Sequence, residues 1–337
     1  MHYRLNFKSY CRSLSIPLRT ANGVWTERRG VLVRIEAVDT GCVGFGEVAP
    51  LSDFGTESMR TAVDFFSQLG EDIDDATIES IPSELLCCRY ALESARDALR
   101  KHKSSPRLKA LDVAALLPAG KAALDCLDMF TAAGYRVFKW KIGVEPLAVE
   151  MDVFKCLVAR LPQAVCLRLD ANGSLTESSA REWMASLLKF GAGKIEFLEQ
   201  PLPRGEEERM FALAEDFPIS LALDESVTGF EDLKCLVNKG WRGVLVVKPS
   251  LLGKLEAFRQ WRKQCPCPLV YSSAFETAVG VESGLGLAAT DPVYHRALGF
   301  GTLIYFKNDG LGLHLPGCRL LSGVWDLEDF EALWKRV

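Results

Sequence analysis

A chain of 337 residues, 48% apolar and 25% charged, has the make-up of a globular protein and room for one large domain plus a smaller one, since a (β/α)8 barrel takes roughly 250 residues. Its net charge of −4 gives no electrostatic case for nucleic acid or a membrane surface, which leaves a small molecule as the expected partner. The eleven cysteines form no CxxC pair and no Cys/His cluster, so they argue against a zinc site and a disulfide framework and read as free thiols.

Met1 to Leu5 carry no apolar signal core, and no run of about 18 apolar residues follows, so a cytoplasmic protein is expected. Residues 1–105 read as an α+β domain. Val31 to Ala37 is a β-branched strand, and Gly44-Phe45-Gly46-Glu47-Val48-Ala49-Pro50 is a second strand running into a turn. Ahead of them, Thr20 to Thr26 reads as a polar loop around Gly23 and Trp25, either a plain connection or a lid over a ligand. Helical spacing of apolar residues follows from Glu57 to Leu99, and the basic segment Arg100 to Pro106 marks the boundary.

Residues 106–302 repeat a unit of short apolar strand, turn and amphipathic helix. Strands are expected at Val113 to Leu117, Arg136 to Ile142, Val165 to Asp170, Lys194 to Glu199, Ile219 to Asp224, Gly243 to Lys248, Leu269 to Ser273 and Ala297 to Phe300. Such alternation implies a parallel sheet closed as a barrel, with an open doubly wound sheet as the alternative. The tail 303–337 is too irregular for another unit and is expected to return to the first domain.

Polar residues stand at the C-terminal ends of successive strands, where barrel enzymes carry their chemistry. Lys139 and Lys141, two apart, share a face; then come Arg168 with Asp170, Glu199, Asp224 with Glu225, Lys248, and Ser272 with Ser273. Each could be a solvated loop residue, and the lysine pair could lie on an exposed edge strand. Asp170, Glu199 and Asp224 recurring one βα unit apart make an oxygen-only site, suited to Mg2+, with Mn2+ as the substitute, rather than to zinc. Lysines flanking such a site favour removal of a proton next to a carboxylate, with the anionic intermediate stabilised by nearby positive charge. His2, His102, His295 and His314 are isolated and receive no role.

In order and spacing, Lys139-Trp140-Lys141, Leu167-Arg168-Leu169-Asp170-Ala171-Asn172, Phe197-Leu198-Glu199-Gln200-Pro201, Asp224-Glu225-Ser226 and Lys248-Pro249 resemble the signature of the enolase superfamily, muconate-lactonizing subgroup. Gly44 to Glu47 with Pro50 resembles that family's capping domain, so the resemblance spans nearly the whole chain. It implies an α/β fold, a (β/α)7β barrel with an α+β cap made by the N-terminal region and the tail. It also implies that Asp170, Glu199 and Asp224 bind Mg2+, that Lys141 is the base on one face of the substrate and that Lys248 faces it from the other. Lys139 would contact the substrate carboxylate and keep Lys141 able to accept a proton, and the Trp25 loop would be the lid.

Within the subgroup, no Asp-x-Asp stands near Ala297 to Thr302, which argues against the dipeptide epimerases. Ser272-Ser273-Ala274-Phe275-Glu276-Thr277-Ala278-Val279-Gly280 instead resembles the strand-7 segment of o-succinylbenzoate synthases, where hydroxyls and a helix N-terminus receive a succinyl carboxylate. Arg168 fits the same pattern as a substrate contact. The expectation is a carbon–oxygen lyase that forms an aromatic ring for menaquinone or phylloquinone. An N-succinylamino acid racemase is the alternative, and a binding protein that has lost its chemistry is the reading from a different class.

Overall fold

The computed structural model describes residues 1–337 apart from 21–22, 102–107, 192, 307–308 and 314–316. The capping sheet has the order β3-β2-β1-β4, built from β1 (His2–Thr20), β2 (Gly23–Ala37), β3 (Val43–Val48) and β4 (Asp72–Asp74). Strands β1 and β2 form one long antiparallel hairpin whose register shifts between Ser13 and Leu18. Of the expected loop 20–26, residues 21 and 22 lie outside the described residues; Thr20 and residues 23–26 belong to the two strands of that hairpin, with Trp25 paired to Leu18. Val24 and Trp25, both β-formers, carry the second strand close to the hairpin's end.

Both faces of this sheet are covered, which explains the unbroken apolar run Val31-Leu32-Val33. Val31, Val33 and Ile35 pack with residues of α1 (Met59–Leu69), α2 (Asp75–Glu79) and α3 (Leu86–Lys101). Leu32, Val43 and Phe45 face the other way, onto the C-terminal tail. The expected helical stretch 57–99 is these three helices with β4 between the first two, and most of the expected boundary, residues 102–106, lies outside the described residues. Helix α3 lies so close to β3 that a Cβ at Gly46 would come within 1.9 Å of the Ala91 carbonyl oxygen. Gly46→Ala should therefore cost about 3 kcal/mol in a urea titration; a cost below about 1 kcal/mol would mean that the helix can retreat.

After β5 (Lys109–Asp112), seven parallel strands run in consecutive order: β6 (Ala115–Leu117), β7 (Val137–Lys141), β8 (Cys166–Asp170), β9 (Ile195–Glu199), β10 (Leu221–Leu223), β11 (Val244–Val247) and β12 (Leu269–Tyr271). Helices α4 (Ala122–Ala132), α5 (Leu147–Arg160), α6 (Glu177–Phe190), α7 (Glu207–Asp216), α8 (Phe230–Asn238) and α9 (Leu255–Gln264) link them, and α10 (Ala278–Thr290) follows β12. The eighth stave is reduced to two parallel bridges, Leu298 to Val113 and Gly299 to Ser272. These bridges join the two edges of the sheet, so the barrel closes and the open-sheet alternative is ruled out.

Alternation along the strands sorts the side chains. Phe138, Trp140, Leu167, Leu169 and Leu198 belong to the large core shared with the helices, whereas Phe197, Ala222, Val244, Val246 and Val270 form a small separate core within the barrel. The tail supplies β13 (Arg319–Ser322), antiparallel to β5, and α11 (Leu327–Arg336), whose Phe330, Leu333 and Trp334 pack with Tyr10, Leu32 and Phe45 of the cap. Among the described residues no helix is long and apolar enough to cross a membrane.

Candidate active site

Each interior position two residues beyond the small barrel core falls at the C-terminal mouth. Phe197 is followed by Glu199, Ala222 by Asp224, Val246 by Lys248 and Val270 by Ser272. Pairing between neighbouring strands sets Lys141 opposite Asp170, and Asp170 opposite Glu199. The expected series is thus brought to one end of one barrel.

Lys139 lies between the first two carboxylates, with Nζ 2.8 Å from Asp170 Oδ2 and 2.7 Å from Glu199 Oε1. Lys248 pairs with Asp224 of the neighbouring stave. Lys139 is thus brought to the mouth with the expected acids, where it pairs with two of them. Asn172 ties the cluster together: its amide reaches Asp170 Oδ2 at 3.3 Å and Glu225 Oε1 at 3.0 Å, and its N–H donates to Asp170 Oδ1.

Charge at this mouth is in surplus. Burial and then the Asp170 charge push the Glu199 carboxyl up to about 8, against the pull of Lys139. Burial followed by the Asp224 and Asp170 charges pushes Glu225 up to about 7, and its Oε2 is buried without a hydrogen-bond partner. Burial would depress the Lys139 ammonium, but Asp170, Glu199 and Asp224 outweigh it and raise its pKa. As placed, no three His, Cys, Asp or Glu side chains among the described residues form a ready metal cage. The oxygen-only donor set, the surplus negative charge and the unpartnered Glu225 oxygen nonetheless fit a hard divalent cation.

Gln200 has a role that its place in the sequence left open. It is fully buried, its Oε1 accepts from Asp224 N at 3.0 Å and Ser226 N at 3.3 Å, and its Nε2 donates to Ser226 Oγ at 2.9 Å and the Leu202 carbonyl. An amide both accepts and donates here; a carboxylate in its place could not donate. Among the described residues, the non-glycine positions with positive φ are Asn172, Gln200 and Phe275, each in the loop that follows a mouth strand, where strained backbone tends to gather at functional sites.

Of the other three expected substrate contacts, two are turned to partners within the protein and one reaches the mouth. Arg168 points inward, but below the mouth: it is 1% exposed, its Nε lies 2.7 Å from Glu196 Oε2, and it donates to the Ala297 carbonyl. The irregular register between β8 and β9 falls at Glu196, which explains how a residue out of step with Phe197 reaches Arg168. Ser273 is buried on the opposite parity from Ser272, and its hydroxyl donates to Glu276 Oε2 at 2.7 Å. Ser272 does reach the mouth, donating to the Gly299 carbonyl at 3.1 Å, with lone pairs left over.

The N-terminus of α10 is not available to a ligand either. Thr277 N and Gly280 N donate to Glu47, Ala278 N to the Leu311 carbonyl, and Val279 N to Thr277 Oγ1. Glu47 is a fully buried capping-domain carboxylate that also accepts from the Tyr10 and Thr277 hydroxyls, and burial raises its pKa. The expected pocket of helix N–H donors is therefore a joint between cap and barrel. Arg28 and Arg12 of the hairpin extend it by donating to the carbonyls of Ala274 and Glu276. Trp25 meets Phe275 edge-on at 6.0 Å, which sets the hairpin tip against the rim of the mouth.

The family description Enolase C-terminal domain-like matches residues 121–294. An o-succinylbenzoate synthase of Thermosynechococcus vestitus is 35% identical over 336 residues, 99% of each chain. One from Thermobifida fusca is 26% identical, covering 87% of this chain and 80% of its own. The crystal structure of the o-succinylbenzoate synthase from Thermosynechococcus elongatus, complexed with magnesium in its active site, superposes with a TM-score of 0.88 at 32% identity, covering 99% of this chain and all of that one. The L-Ala-D/L-Glu epimerase of Bacillus subtilis shares the fold, with a TM-score of 0.79 at 20% identity over 95% of each chain.

Proposed function

The chain belongs to the o-succinylbenzoate synthase family of the enolase superfamily, and from that membership we infer that its barrel mouth carries out the family's reaction. This is the Mg2+-dependent syn-dehydration of 2-succinyl-6-hydroxy-2,4-cyclohexadiene-1-carboxylate to 2-succinylbenzoate, a step toward menaquinone or phylloquinone. The observation that carries the assignment to these residues is the series Lys141, Asp170, Glu199, Asp224 and Lys248 on consecutive staves, with more negative charge than its lysines neutralise.

In this reading Asp170, Glu199 and Asp224 hold the ion, with Glu225 beside them, and bound Mg2+ supplies Lewis-acid charge to the substrate carboxylate. Lys141 accepts the proton α to that carboxylate, breaking the C–H bond and leaving an enediolate. The same ammonium then returns the proton to the departing hydroxyl, so that the C–O bond breaks and water leaves from the same face; no electron donor is required. Lys248, paired with Asp224, stays a cation on the far side and stabilises the anion. Ser272 keeps acceptor capacity at the mouth for the substrate's polar tail, while Arg168 and Ser273 brace the barrel interior and the strand-7 turn. The barrel 106–302 carries the chemistry, and the cap 1–105 with the tail 303–337 closes over it.

Adding the protein and Mg2+ to freshly prepared substrate should produce a fast rise in aromatic absorbance that excess EDTA abolishes. The racemase reading needs Lys248 as a second base, so α-deuterium exchange into N-succinyl amino acids should be far slower than dehydration. Exchange as fast as dehydration, or exchange without it, would move the assignment to racemisation.

A further inference from the structure

A short turn of the capping domain, Ser52–Phe54, reaches the barrel mouth at Lys248. The half-buried Phe54 ring lies under the ammonium, its centroid 4.1 Å from Lys248 Nζ. The turn is stapled at a single atom. The Phe54 carbonyl accepts from Thr228 Oγ1 at 2.6 Å and from Arg204 Nη1 at 2.8 Å, residues on the loops that follow β10 and β9. Asp232 orients both donors, taking the Thr228 N–H at 3.2 Å and lying 3.7 Å from Arg204. Gly55 makes room for this staple. Its φ of 91° is left-handed, and a Cβ there would come within 2.6 Å of Arg204 Nη1.

We propose that Phe54 is a positioning residue for Lys248: the Arg204–Thr228 staple lays its ring against the ammonium and fixes that cation on the side of the substrate opposite Lys141. The inference rests on the assignment of Lys248 as the stabilising cation. An aromatic face attracts an ammonium through its quadrupole, most strongly where water is displaced, and Lys248 is buried. Asp224 pairs with the same nitrogen, so the ammonium has both a carboxylate and a ring as partners. A flexible four-carbon side chain thereby has one place to stand, and the cap becomes part of the site without contributing a charge.

The test separates ring electronics from ring shape. Replacing Phe54 with 4-fluoro-, 3,5-difluoro- and 3,4,5-trifluorophenylalanine weakens the quadrupole in steps while nearly preserving size. The dehydration kcat is expected to fall stepwise, by about tenfold at three fluorines, with KM within about twofold, while Phe54→Tyr stays near the wild-type rate. A flat series would overturn the proposal, since a structural role alone does not follow ring charge. Independently of turnover, the Lys248 ε-CH2 resonance in 13C-lysine protein, assigned by its loss in Lys248→Arg, should be ring-current shifted. It should move to the ordinary lysine position in Phe54→Leu and part of the way in the Arg204→Met/Thr228→Val double variant. An unshifted resonance in the wild type overturns the proposal. A shifted resonance in a wild type that does not dehydrate supports the placement and removes the functional assignment instead.

Discussion

Lys141→Ala is expected to lower the dehydration kcat by about 10^4-fold or more while leaving Mg2+ binding intact, because one amine performs both proton transfers. The informative companion is Lys141→Arg. Arginine keeps the positive charge and much of the length but does not give up its proton, so it cannot act as the base. Both variants should therefore be equally inactive. At Lys248 the two substitutions should diverge: Lys248→Arg keeps a cation beside Asp224 and retains a measurable rate, whereas Lys248→Ala loses about 10^2-fold or more. Single-turnover absorbance traces, with calorimetric Mg2+ titrations on each variant, check all four. A Lys141→Arg enzyme within tenfold of the wild type would show that position 141 supplies charge and that the base lies elsewhere.

The parts of this site that could be read from the sequence are those that strand alternation forces. Once β8 and β9 are recognised as strands, Asp170 and Glu199 must share the interior face with Arg168 and Phe197, and the same parity carries Asp224 and Lys248 inward just past β10 and β11. Parity gives the face but not the height or the partner. Arg168 satisfies the inward rule and still lies below the mouth, because the irregularity at Glu196 places an acid beside it that regular pairing would have turned away. The separation of Ser272 from Ser273 was available from alternation, since adjacent residues on a strand cannot both face the pocket.

What was hidden depends on contacts between distant segments. Glu47 caps α10 across 230 positions of sequence, and nothing local to Gly44-Phe45-Gly46-Glu47 marks its carboxylate as a helix cap. The two glycines there reflect the close approach of α3, which becomes visible only when the helix is in place. Residues 23–26 read as part of a loop because polar residues surround Gly23; Val24 and Trp25, both β-formers, are the available sign that the strand begins there. Phe54 is one apolar residue in a short turn, and its relation to Lys248 follows from the staple on its carbonyl rather than from any pattern around it.

Glu199→Gln is expected to uncouple the protein from Mg2+ and, with metal removed, to make it more stable at pH 8 than the wild type. Burial and the Asp170 charge hold the Glu199 carboxyl at about 8 in the folded state, against an ordinary value of 4.5. Below about pH 4.5 both folded and unfolded chains carry the proton, and the group's stabilising contribution is fully present. As the pH climbs toward 8 the unfolded chain releases its proton first, so the folded state binds more protons and loses stability with each step. The loss levels off above the folded value, after a total on the order of a few kcal/mol. Glu225, held up to about 7, adds to the same decline, so Glu225→Gln should remove only part of it. In EDTA, the wild-type melting temperature should fall between about pH 5 and 8 and Mg2+ should restore it most at the upper end, where the carboxylates are charged. In Glu199→Gln the fall should flatten, the restoration by Mg2+ should vanish, and kcat should drop by about 10^3-fold or more. Thermal melts across that range, with and without Mg2+, read all three effects. An undiminished Mg2+ shift in Glu199→Gln would remove this residue from the ion's ligands and leave its buried charge without a purpose in the reaction.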